Sequence, residues 1–272
     1  MAGIEGEAIV LRAVEYGESD LIAHLLMPDV GRLTVIAKYA RKSQRRFPGS
    51  LDLFNHLRVQ VSRKQPQGLG FLERGVLIAP FLALRAHPAR YALASYLVEW
   101  MDRVAPEDGT RADTRRIFAF TASALGALER AQPDPALRLF LELRAFDALG
   151  LRPGLRHCVR CGVEPGATLV DFHVADGGLL CGAHGGEGRE GRLRVHLGTL
   201  HALDKSLEGE IDPVGRLRLS PQALAEAEEI LFRFHRFHMG FELKSQRFLG
   251  QSLAGARLTA AAPDGNTPRP RD

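Results

Sequence analysis

The sequence predicts an α+β fold: a small N-terminal β-barrel of the OB type, followed by an α-helical domain with an inserted zinc-ribbon-like motif. Three observations carry that expectation. Five strand-like segments crowd into residues 1–80, helical periodicity takes over beyond them, and two pairs of metal-ligating side chains sit in a glycine-rich break between helices. Glu7-Ala-Ile-Val-Leu-Arg-Ala-Val14 is rich in strand formers and stops at Tyr16-Gly17. Residues 20–27 run into Pro28-Asp29-Val30-Gly31, a turn signal, and 32–38 follow at once, so the two segments read as a hairpin. Residues 57–63 alternate apolar and polar with period 2, and 71–78 supply a fifth strand. Five short strands in so little chain suit a small barrel such as an OB-fold; any small antiparallel sheet is the plainer alternative.

Residues 89–104 carry apolar side chains at helical spacing and stop before Pro106. Helices are expected over 111–130 and 135–150, with breaks at Gln132-Pro133 and Gly150. The glycine-rich stretch from 151 to about 191 reads as irregular. Helical pattern returns over 196–208 and 221–240, the latter opening on Ser220-Pro221, an N-cap and first-turn pair. From Ala254 the chain turns Ala-, Pro- and Gly-rich without periodicity, so a disordered tail is expected. The expected layout is therefore a barrel over 1–80, a helical domain over 81–253 with its insertion at about 155–190, and a tail over 254–272. Trp100 is expected in the helical core beside Leu97 and Val104, and His235 and His238 on a hydrogen-bonded helix face.

Cys158-Val-Arg-Cys161 is followed, after nineteen residues, by Cys181-Gly-Ala-His184. Two side chains two residues apart in a tight turn can reach one ion, and a second such pair completes a tetrahedron. Four protein ligands leave no open position, so one structural Zn2+ is the expected cofactor, held by Cys158, Cys161, Cys181 and His184. His173, His157 or a water remain alternatives for the fourth place, His173 first among them. Between the pairs the large apolar residues are few (Leu169, Val170, Phe172, Val174, Leu179, Leu180), so metal is expected to supply much of this segment's folding free energy. A redox CxxC would call for a βαβ context, which the sequence does not offer.

Hydrophobic content of 45% and charged content of 25% are those of a globular protein, and no apolar run approaches the roughly 18 residues of a spanning helix. MAGIEGEAIV has no basic n-region, and three cysteines are an odd count, so a cytoplasmic, nucleoid-associated protein is expected. The net charge of +4 matters less than its placement. Between residues 38 and 64 stand Lys38, Arg41, Lys42, Arg45, Arg46, Arg58, Arg63 and Lys64 against one acid, Asp52, a local +7. Such a surface draws phosphates without reading sequence. Tyr39 and Phe47 flank the charges, where unpaired bases could stack on them. A solvated charged face is the plainer reading, and Arg63 and Lys64 could equally blunt an edge strand.

Several motifs in order resemble the RecO recombination mediators over about residues 4–252. They are Glu7-Ala-Ile-Val-Leu-Arg12, Tyr16-Gly17-Glu18-Ser19-Asp20, Gly31-Arg32-Leu33, Ala37-Lys38-Tyr39-Ala40-Arg41-Lys42 and Phe47-Pro48-Gly49-Ser50-Leu51 with Phe54. Near the other end, Leu231-Phe-Arg-Phe-His235, His238-Met-Gly240 and Leu243–Leu249 are similar to the family's C-terminal helix signature. The resemblance implies a protein that binds single- and double-stranded DNA and anneals complementary strands. It implies cooperation with RecR to load RecA onto DNA coated by single-strand-binding protein (SSB), whose acidic tail docks on the helical region. Tyr39 stands where the family often has glycine, and His184 where many members have a fourth cysteine.

No phosphate-cradling GxxxxGK[ST] loop, GxSxG elbow or HExxH helix occurs, and Glu18, Asp20 and Glu73 read as surface acids, so no enzyme is expected. The alternative is a protein-interaction adaptor of the repair machinery with weak DNA binding. Arg103, Arg115, Arg116, Arg130 and Arg138 are candidate cations for the rim of a partner groove on the helices.

Overall fold

The computed structural model describes residues 2–43, 45–47, 49–63, 68–107, 109–186, 191–209, 211 and 218–260. Five strands, β1 (Ala2–Tyr16), β2 (Asp20–Met27), β3 (Gly31–Ala37), β4 (His56–Arg63) and β5 (Gly70–Ala79), close a barrel in the order β1-β2-β3-β5-β4. The arrangement is OB-like. β1 is longer than its apolar run suggested, because it serves two partners: Ala2–Ile9 pairs with β4, and Ile9–Tyr16 pairs with β2. A register shift between Val10 and Arg12 bends the strand from one sheet wall into the next, as closure requires. β3 and β5 complete the ring through two parallel pairs, Val35 with Gly70 and Ile36 with Phe71.

Alternation on β1 divides its side chains between two cores. Ala8 and Val10 join Leu25, Leu33, Val35, Leu57, Val59 and Leu72 inside the barrel, where Phe47 and Leu51 from the β3–β4 loop pack on them. Ile9 and Leu11 point the other way, with Leu26 and Phe54, into a core shared with the helices. This is why residues 8–11 read as one apolar run: both faces are covered.

The helices are α1 (Leu82–Ala86), α2 (Pro88–Val104), α3 (Arg111–Arg130), α4 (Pro135–Ala148), α5 (Leu197–Ser206), α6 (Pro221–Met239) and α7 (Ser245–Ala260). Side-chain caps start three of them: Thr110 accepts the Asp113 N–H, Asp134 that of Leu137 and Ser220 that of Ala223. Trp100 is fully buried, as expected, but its neighbours come from far along the chain. Its ring meets Phe146 and His235 edge-on at 4.9 Å and its N–H points at Met239 Sδ, 3.4 Å away. His238 does hydrogen-bond, to the Val174 carbonyl at 3.0 Å, whereas His235 is half-buried among aromatic rings with its Nε2 unpartnered.

Two expectations need correction. The stretch over 151–191 is not wholly irregular: β6 (Leu169–His173), β7 (Gly178–Leu180) and β8 (Arg192–His196) form a sheet ordered β7-β6-β8. Strands of three to five residues bounded by glycine leave too short a pattern to read. The tail does not begin at 254 either, since α7 continues to Ala260; residues 261–272 lie outside those described. Leu249 and Leu253 are buried in the main core, which explains a helix where composition argued for none.

Barrel and helices meet at the β2–β3 turn. Arg32 N–H donates to the Pro106 carbonyl at 2.8 Å, Thr114 Oγ1 to that of Pro28 at 2.7 Å, and His24 Nδ1 lies 2.6 Å from Asp102. Arg115 pairs with Asp29 at 2.6 Å and Arg32 with Glu107 at 2.6 Å. Gly31 sits at the tightest point: φ is +83°, and a β-carbon there would lie 2.1 Å from the Pro106 oxygen. Gly31→Ala is therefore expected to lower unfolding free energy by about 2–4 kcal/mol, read from urea midpoints at unchanged m.

Candidate metal centre and nucleic-acid interface

Two tight turns present the metal ligands. In the first, Gly162 N–H donates to the Cys158 carbonyl at 2.8 Å and Cys158 N–H to Val163 at 2.8 Å. In the second, His184 and Gly185 both donate to the Cys181 carbonyl, at 3.0 and 2.7 Å. The first turn is tied to β7 through Val159 N–H and the Leu179 carbonyl at 2.9 Å, and β7 leads directly into Cys181. Asp171 on β6, itself buried, accepts the Gly186 N–H at 3.1 Å and pairs with Arg192 and Arg194, which holds the second turn in place.

The four ligand atoms of Cys158, Cys161, Cys181 and His184 lie within 4.8 Å of one another. Cys161 Sγ is 3.7 Å from Cys181 Sγ, and His184 Nδ1 is 3.7 Å from Cys158 Sγ and 3.3 Å from Cys181 Sγ. Metal–sulfur bonds of about 2.3 Å in a regular tetrahedron put sulfurs ~3.8 Å apart, so the cluster matches a tetrahedral ion. It could hold a metal ion with no position left open. His173 and His157, the alternatives for the fourth place, are elsewhere: His173 pairs with Asp176 at 3.0 Å and His157 faces Glu164 at 4.0 Å.

Protons compete for the same atoms. Burial pushes the Cys158 thiol up, but backbone N–H groups of Cys181, Arg160 and Cys161 outweigh it and bring it down to about 6. The hydrogen bond with His184 lowers Cys181, and Cys181 and then Cys158 raise His184 above its ordinary value. Metal, expected to supply much of this segment's folding free energy, would share that task with apolar packing. Val170, Phe172, Val174 and Leu179 are buried in the main core, so the β6–β8 sheet docks through apolar contact and the ligands gather only its outer turns.

The β3–β4 loop carries the charge. Tyr39, at φ 57°, is 63% exposed, and Lys42 N–H closes a turn on its carbonyl at 3.1 Å. Three cations are engaged with the barrel: Lys38 pairs with Asp20 at 2.9 Å, Arg41 with Glu15 at 3.1 Å, and Arg46 donates to the Lys38 carbonyl at 2.6 Å. Lys42 and Arg45 are exposed. Phe47 does not stand out to receive a base: it is buried as a plug of the barrel, with the Arg46 guanidinium 5.2 Å over its ring. Arg58 is exposed on β4 across from Glu7, and Arg63 is half-buried at that strand's end. Lys64 lies outside the described residues. Arg74 was missed from sequence. Gly75 N–H donates to the Arg46 carbonyl at 3.1 Å, which sets the exposed Arg74 beside the loop and, across β4, opposite Gln60.

An OB-like barrel sharing its core with a helical body, which carries a Cys3His cluster on a small sheet, defines the class of protein. Residues 1–81 match the family model described as Recombination protein O N terminal, and residues 85–247 match Recombination protein O C terminal. The chain is 37% identical over 243 residues to the DNA repair protein RecO of Anaeromyxobacter dehalogenans (strain 2CP-C), covering 89% of this chain and 94% of that one. It is 33% identical over 259 residues to that of Symbiobacterium thermophilum, covering 94% and 100%, and 34% identical over 251 to that of Myxococcus xanthus, covering 92% and 98%. The chain belongs to the RecO family, with a role in DNA repair and recombination. Among the described residues no helix is long and apolar enough to cross a membrane.

Ligation needs thiolates and a neutral imidazole, so acid must weaken metal binding. Lowering pH from 7.5 to 5.5 with a chromogenic chelator present is expected to release one equivalent of metal per chain. His184→Ala is expected to weaken retention by at least about 100-fold. In both cases far-UV circular dichroism keeps its helical signal, because the helices pack through the main apolar cluster, to which none of the four ligands belongs.

Proposed function

We propose that this protein is a non-enzymatic recombination mediator that binds single- and double-stranded DNA on the β3–β4 side of its barrel and anneals complementary strands. With RecR it would help load RecA onto SSB-coated DNA. One observation carries the DNA-binding part: a loop fastened to the barrel at its base turns Lys42 and Arg45 outward, with Arg74 beside it. Annealing needs no bond chemistry. Phosphates of two strands must be neutralised together so that base pairing overcomes their repulsion. The Cys3His cluster suits one structural Zn2+, whose part is to keep the outer turns of the β6–β8 sheet folded. RecR and RecA enter through family membership.

A place for the acidic, apolar-ended SSB tail is supported on the helices. Of the five candidate rim cations, Arg103 lies over the Phe241 ring, Arg115 pairs with Asp29, and Arg138 pairs with the buried Glu142. Arg130 and Arg116, the latter also paired with Asp113 at 2.8 Å, line one concavity of about 560 Å3 together with Phe120, Ile211, Arg144 and the acid Asp147. The adaptor reading draws on a different observation, that Lys38 and Arg41 already have carboxylate partners within the barrel.

A salt series of fluorescence-anisotropy titrations with labelled single strand distinguishes the two. The Arg41/Lys42/Arg45/Arg46→Ala variant is expected to bind more weakly, with the salt slope reduced by up to about 3. An unchanged affinity and slope in a folded variant would leave the adaptor reading. Arg130→Ala is expected to weaken an SSB-tail peptide by about tenfold while DNA affinity stays as in the wild type.

A further inference from the structure

Tyr16 ends β1 and Asp20 begins β2, and the two are cross-strand partners. The β2–β3 register, Leu21 with Ala37, continues one step further to set Lys38 beside Asp20. Three adjacent strands thus end in a lateral row of Tyr16, Asp20 and Lys38, and Tyr39 follows directly. Asp20 fastens both loop residues: one carboxylate oxygen accepts the Tyr39 N–H at 2.8 Å and the other pairs with the Lys38 ammonium at 2.9 Å. Asp20 holds the Lys38 ammonium charged, with Tyr16 as its own cross-strand partner on one side and Tyr39 following Lys38 on the other.

Tyr16 is 54% and Tyr39 63% exposed, whereas Phe47, the loop's other aromatic, is buried beneath Arg46. Among the described residues neither tyrosine stacks on another ring or a cation. Tyr39 also occupies the left-handed region, φ 57°, where a β-carbon is unfavourable and glycine is the ordinary choice. A bulky residue in that conformation, pinned by a carboxylate and turned to solvent, contributes nothing to the core. Its ring is open to a partner outside the chain.

We propose that Tyr16 and Tyr39 form a stacking platform for unpaired bases of single-stranded DNA, with Lys38 between them facing the backbone and Asp20 as the positioning residue. The inference rests on the DNA-binding reading of the barrel and adds to it the choice of strand. In a duplex the faces of the bases are covered by their neighbours, so a ring can stack only on a base that is unpaired. The cations then serve both forms of DNA alike, and the tyrosines favour the single strand.

The test compares labelled oligothymidylate with a duplex of equal length at two salt concentrations, for wild type, Tyr39→Gly, Tyr16→Ala and the two Tyr→Phe variants. Tyr39→Gly and Tyr16→Ala are each expected to weaken the single strand by about tenfold. Duplex affinity should stay within about twofold and the salt slope should not move, because no phosphate contact is lost. The phenylalanine variants should bind as wild type. Tyr39→Gly should melt no lower than wild type, since glycine relieves the backbone conformation, so weaker binding could not be put down to misfolding. Single-strand affinity unchanged in both Tyr39→Gly and Tyr16→Ala overturns the platform, as does a parallel loss of single strand and duplex. The Arg41/Lys42/Arg45/Arg46→Ala variant run beside them separates the failures. If it binds less well while the tyrosine variants do not, only the platform falls; if it too binds as wild type, the barrel reading falls with it.

Discussion

Ile9, Leu11 and Leu26 leave the barrel wall on the side away from its lumen and enter the same core as Trp100, Phe146 and Phe172. That double use of β1 and β2 fixes the barrel against the helices, because neither body can withdraw without exposing the other's apolar surface. The polar contacts around Gly31 and Arg32 add direction to an attachment whose strength is apolar. With the barrel's one flank occupied in this way, the β1–β2 turn, the β3–β4 loop and the outer face of β4 and β5 stay exposed. The proposed interface lies where packing leaves the barrel uncovered.

The same core reaches the metal-ligand cluster from the other side. β6 and β7 bury Val170, Phe172 and Leu179 against α6, whose Phe234 ring stands 6.3 Å from that of Phe172. The sheet is thus anchored at its apolar face, and Cys158, Cys161, Cys181 and His184 gather in the turns beside β7. Burial accounts for how a segment so poor in large residues keeps a defined place on the helical body, and the Cys3His cluster could hold a metal ion at its turns.

Charge in the β3–β4 loop is shaped by acids distant in sequence. Asp20 and Glu15 engage Lys38 and Arg41 at the loop's base, and Asp20 is held below the ordinary carboxylate range by the Tyr39 N–H and then Lys38. Such pairs are exposed and individually weak, but together with the buried Phe47 and Leu51 they give the loop a shape. A loop so held presents Lys42 and Arg45 from a defined position, which lowers the ordering cost of any partner that binds there.

Much of the molecule was legible in the residues alone. The five strands, the starts of α3, α4 and α6 and the CxxC and CxxH pairs are encoded by neighbours within a few positions, through period, caps and turn residues. The family motifs were readable for the same reason. What the tertiary structure decided depends on contacts far apart in sequence. Among the histidines, His184 is brought to the thiols while His173 is taken by Asp176, because the β6–β7 pairing turns the second knuckle toward the first. Phe47 becomes a plug instead of an exposed ring, Arg74 arrives beside the loop through one backbone hydrogen bond, and Tyr16 comes opposite Asp20, the partner of Lys38. A local pattern states what a residue is able to do; only strand register and closure of the core determine which distant partner it meets.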